Sequence, residues 1–65
     1  MDDLQRLKAR YQATSEAYRE IADRNARQAL KGDHPSAEAL QREETAHEQL
    51  AAARRTYLNL LKRDV

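Results

Sequence analysis

From Leu4 onward, positions Leu7, Tyr11, Thr14, Tyr18, Ile21, Asn25 and Gln28 recur at alternating steps of three and four residues. The first part of this seam carries large apolar side chains, and its last part turns polar. Ala17, Ala22, Ala26 and Ala29, with Leu30, widen the stripe beside it. A 3-4 repeat keeps its members on one side of a helix, so the pattern predicts an amphipathic helix over about residues 2–31. Asp2 and Asp3 place negative charge near its N-terminus, where the helix dipole favours it.

The pattern breaks at Lys31-Gly32-Asp33-His34-Pro35-Ser36. Gly32 suits the left-handed conformation that ends helices. Pro35 lacks the amide hydrogen that a helix interior needs but is tolerated in a first turn. A second helix is expected from about residue 36 to about 63, with Lys62 and Arg63 matching its C-terminal dipole. Asp33 or Ser36 can supply its N-cap oxygen. Its apolar stripe has two readings. One runs through Ala39, Ala46, Leu50, Ala53, Tyr57 and Leu60. The other runs through Ala37, Leu40, Glu44, His47, Ala51, Arg54, Leu58 and Leu61.

Two helices of similar length joined by a short turn become antiparallel neighbours, with facing residue numbers summing to about 67. Leu7 then lies level with Leu60, Tyr11 with Thr56 and Tyr57, Ile21 with Ala46, and Leu30 with Ala37. Apolar meets apolar at these levels, which favours an all-α, coiled-coil-like hairpin over one long helix. Ile21 and Leu30 meet only alanines, so a close approach of the helices is expected there.

The chain has 65 residues, enough for one domain, and a domain this small buries a modest share of its surface. It has no cysteine, so neither disulfides nor thiolate-held metals can reinforce it. The acidic, polar start Met1-Asp2-Asp3-Leu4-Gln5 lacks the basic and apolar stretches of a signal peptide, and no apolar run approaches a membrane span. A cytoplasmic location is expected, with no membrane role. The 12 basic and 11 acidic residues give a net charge of +1, a solvated helical surface rather than a nucleic-acid-binding composition. Such hydrophilicity raises the question of disorder, but the regular periodicity answers against it.

Near residues 57–61 both faces of helix 2 are apolar, and one neighbouring helix covers only one of them. The second face is therefore expected to meet another chain, most simply a second copy closing a four-helix bundle, or else a different protein. The expected interface residues are Leu50, Tyr57, Leu58 and Leu61, with Tyr11 and Tyr18 opposite. Tyrosines serve such a role well, with rings packed and hydroxyls at the rim. Asn25 reads as a register-setting polar residue or as the end of the seam.

Candidate chemistry is sparse. Glu44 and His47, spaced i and i+3, share a helix face as in carboxylate-bridged di-metal bundles. Glu20, level with His47, is the third candidate ligand. Around residues 40–50 this resembles the two-helix ferritin-like proteins that build their site between hairpins, but Glu20 lies off the Leu4–Gln28 seam. Solvated side chains on a helix flank are the plainer reading, and no metal or other cofactor is expected. His34 reads as a solvated turn residue. Ser15 and Ser36 lack any nucleophile context, and a single glycine cannot build a phosphate loop, so no enzyme activity is expected.

Charge is unevenly spread. Residues 33–48 hold five acids and one base, and residues 54–63 hold four bases and no acid. Arg6, Lys8 and Arg10 fall at that same open end. Dipole matching and solubility account for most of this. Asp2, Asp3 and Asp64 dilute the basic end, and only Tyr57 interleaves with it, so nucleic-acid binding is the minor alternative.

The turn Gly32-Asp33-His34-Pro35, followed by Leu40, Gln41, Ala46 and Glu48, resembles the small helical-hairpin co-chaperones of type III secretion needle subunits. The resemblance covers about residues 28–52. It implies a cytoplasmic hairpin that binds a second chaperone through a helix face and helps keep an aggregation-prone needle subunit monomeric. The expectation from the residues themselves is broader: a non-catalytic protein–protein interaction module, adaptor or chaperone-like, that forms a homodimer.

Overall fold

The computed structural model describes residues 2–63, and Met1, Asp64 and Val65 lie outside the described residues. Helix α1 spans Asp3–Leu30 and helix α2 spans Ala37–Arg63. They pack against each other as an antiparallel hairpin measuring 48 × 17 × 15 Å. Both helix N-termini and the C-terminus of α1 are closed by the residue types those positions demand. The Asp2 carboxylate accepts from the Leu4 amide at 3.1 Å, and Asp3 pairs with Arg6 at 2.9 Å within the first turn. Of the two candidate caps for α2, Ser36 serves: its hydroxyl oxygen accepts from the Ala39 amide at 3.0 Å, and its carbonyl accepts from the Leu40 amide at 3.0 Å.

The turn begins with a Schellman closure. The Gly32 amide donates to the Ala29 carbonyl at 3.1 Å and the Asp33 amide to the Gln28 carbonyl at 3.0 Å. This pair of hydrogen bonds needs a left-handed residue after the C-cap Lys31. Gly32 supplies it with φ +89°, the only positive φ among the described residues.

The interior is a single seam. On α1 the periodic stripe Leu4, Leu7, Tyr11, Thr14, Tyr18, Ile21 and Asn25 is half-buried or buried, and Ser15 and Ala22 beside it are half-buried too. Gln28, its expected last member, is exposed, and so are Ala17, Ala26 and Ala29. Leu30 does not face Ala37 across the seam: it is 88% exposed. The seam stops at Asn25, and Leu30, five residues on, sits about 140° around α1 from it and so points away from the seam.

On α2 the packed stripe is Ala39, Ala46, Leu50, Ala53, Tyr57 and Leu60, the first of the two readings, with Glu43 added between Ala39 and Ala46. Ala46 and Ala53 are its most buried members, 7% and 3% exposed. Small residues at the centre let the helices approach, and the larger Tyr11, Tyr18 and Tyr57 fill the flanks. Tyr11 and Tyr57 pack ring to ring at 5.7 Å, tilted by 48°. Leu7 and Leu60 line one groove at the open end. The polar Thr14 in this seam is satisfied within its own helix, its hydroxyl donating to the Arg10 and Tyr11 carbonyls at 2.9 and 3.0 Å.

Nothing lies within 4 Å of a methyl group added at Gly32, so substitution there meets only a backbone cost. Gly32→Ala should lower stability by about 1 kcal/mol, and Gly32→Asn by less, because asparagine tolerates the left-handed region. Urea unfolding followed by circular dichroism at one fixed protein concentration reads this order.

Candidate interaction surface

Among the described residues one polar side chain is buried in the hairpin. Asn25 is 5% exposed, and its amide reaches across to α2. The NH2 group donates to the Ala39 carbonyl at 3.2 Å and to the Glu43 carboxylate at 2.9 Å. The first bond catches a carbonyl in the first turn of α2. The second is charge-assisted and holds Glu43 in the seam. Asn25 therefore acts as a register lock as well as the end of the apolar seam. Glu43 is the residue that pattern reading missed, because a carboxylate interrupts an apolar stripe. The available signal was its spacing, midway between Ala39 and Ala46 in the same 3-4 series.

The expected interface residues divide into two groups. Tyr11, Tyr18, Leu50 and Tyr57 lie half-buried along the seam inside the hairpin. Tyr18 meets the ring of His47 edge-on at 5.4 Å and 62°. Leu58 and Leu61 each follow an inner-stripe residue by one position, so they sit about 100° around α2 from the seam. Both remain half-exposed. An open groove along this side of α2 is lined by His47, Ala51, Arg54 and Leu58. Leu40, one of the two most exposed large apolar residues, continues the same side toward the turn at 51% exposure. This is the second of the two stripes read from the sequence, and a single chain leaves it uncovered.

Areas give the same picture. No large side chain is fully buried among the described residues, and the accessible surface is 5513 Å². A compact monomer of 7.5 kDa exposes about 4,200 Å². The excess, on the order of 1,000 Å², is comparable with what one protomer buries in an ordinary stable interface.

The metal-ligand candidates do not converge within one chain. Glu44 is exposed, and His47 packs its ring on Tyr18. Glu20 lines a separate groove with Asp23, Arg24 and Arg27. It precedes a seam residue on α1, whereas Glu44 and His47 follow seam residues on α2, which puts them on opposite sides of an antiparallel pair. No group of three or more His, Cys, Asp or Glu residues with metal-binding geometry occurs among the described residues. At the basic open end, Arg6 is engaged by Asp3, while Asp64 lies outside the described residues. No helix among the described residues is long and apolar enough to cross a membrane. The chain matches no protein-family model, no curated protein and no solved structure.

Removing the Asn25 lock tests how the two helices are held in register. Asn25→Ala should lower unfolding free energy by about 1.5–3 kcal/mol, the range for losing a hydrogen bond to a charged group. Asn25→Asp should cost more, because it sets a carboxylate against the Glu43 carboxylate and the Ala39 carbonyl. Urea midpoints of the two variants, measured beside the parent protein, give the order.

Proposed function

We propose that this protein is a non-catalytic interaction module, a helical hairpin that self-associates and acts through protein–protein contacts. The observation that carries this reading is the uncovered second stripe of α2. Leu40, Leu58 and Leu61 lie on one side of the hairpin, and none of them is buried. A hairpin with one half-covered seam has little surplus stability, since burial of large apolar side chains supplies most of it. Covering the second stripe adds the missing burial and links folding to association.

The reading extends to an adaptor or chaperone-like role, in which the same face exchanges a second copy for a different protein. The co-chaperone resemblance around the turn is one named form of this, with the partner a second chaperone.

Sedimentation equilibrium at micromolar concentrations should return a mass above that of one chain. Changing Leu58 and Leu61 together to Ser should shift the mass toward the monomer while far-ultraviolet circular dichroism stays helical at high protein concentration. Unchanged mass and unchanged stability in the double variant would show that this face makes no contact.

A further inference from the structure

The second stripe of α2 reads nearly the same in both directions. Its members are Ala37, Leu40, Glu44, His47, Ala51, Arg54, Leu58 and Leu61. Laid antiparallel on its own copy about a twofold axis level with residue 49, each member meets another member. Leu40 meets Leu58, Glu44 meets Arg54, His47 meets Ala51, and Ala37 meets Leu61. Apolar falls on apolar, acid falls on base, and the one imidazole falls on a methyl group. This register also gives the greatest overlap of the two stripes, since a shift by one step of the 3-4 series leaves residues at both ends without a counterpart.

We infer that a second copy of this chain docks there, antiparallel and turn-to-tail, with Glu44 of each chain facing Arg54 of the other. The inference rests on the self-association proposed above and adds its orientation and register.

Three features of the hairpin support it. The stripe lies about 100° around α2 from the inner seam, close to the right angle that a helix in a four-helix bundle spans between its two neighbours. The long side of the hairpin, 48 by 17 Å, offers on the order of 800 Å² per protomer, the footprint of a standard interface. Glu44 and Arg54 are both exposed, and neither takes part in an ion pair among the described residues.

The alternative closure, with the two turns at the same end, fits poorly. It sets α2 of one copy over α1 of the other, placing Leu58 level with Lys8, Leu61 with Gln5 and Arg54 with Gln12. In the antiparallel closure α1 lies over its own copy, and Ala22 and Ala26 make room for Gln12 and Lys8 of the second copy.

The test uses the full chain. It has no cysteine, so His34→Cys, in the exposed turn, accepts one spin label per chain. In the antiparallel dimer the two labels should lie roughly 45 Å apart, at 1.5 Å per residue measured from the twofold level. A separation of roughly 20 Å or less in a species of dimeric mass would overturn the orientation while leaving self-association standing. A monomeric mass would overturn both.

Charge exchange then tests the register. E44R and R54E should each weaken the dimer about tenfold, since each places two like-charged pairs in contact. The combined E44R/R54E chain should return to within about threefold of the parent, because opposite charges face each other again. A combined variant no tighter than either single one would overturn the pairing.

Discussion

The bond from the Asn25 amide to the first turn of α2 sets the level at which the two helices meet, and the remaining contacts depend on that level. Asn25 reaches both the Ala39 carbonyl and the Glu43 carboxylate, so a slip of α2 along α1 breaks a partly buried, charge-assisted interaction. Apolar packing alone sets register weakly here. Ala46 and Ala53 at the centre offer little shape to discriminate one level from the next, and a buried amide discriminates strongly because its alternatives are unsatisfied. With Asn25 seated, Tyr11 comes level with Tyr57 and Tyr18 with His47. Gly32 closes the other side of this constraint, since its left-handed turn delivers the chain to Ser36 in position to cap α2.

The two helices differ in what they leave over. Helix α1 spends its apolar residues on one stripe and ends it with a polar lock. Helix α2 carries two stripes about 100° apart, and the hairpin consumes only one. That difference explains how a chain with ordinary helix-forming composition retains a surface larger than a compact monomer of its mass. It also locates the surplus: an α2 flank with leucines near both ends and opposite charges between them.

The same geometry bears on the chemical alternatives. A di-metal site needs several ligands aimed at one point, and the hairpin sends Glu20 to one side and Glu44 with His47 to the other. His47 instead packs its ring edge-on with Tyr18, an aromatic contact that anchors the flank of the seam.

Much of this was legible in the residues. The α1 stripe from Leu4 to Asn25, the Gly32 turn and the antiparallel pairing arise from periodicity, the left-handed preference of glycine and the shortness of the connection. Those are local properties that a chain carries wherever it sits. The choice between the two α2 stripes was not legible, because both keep the 3-4 spacing with similar apolar content. Tertiary packing decided it. The stripe with Ala46 and Ala53 permits close approach to α1, and the hydrogen bond from Asn25 makes a carboxylate acceptable at Glu43, where spacing alone reads an interruption. Leu30 is level with Ala37 but lies about 140° around α1 from Asn25, so its level alone does not bring it to the seam. Periodicity is a property of one helix, whereas burial belongs to a pair, and only the folded pair shows which face each helix gives to the other.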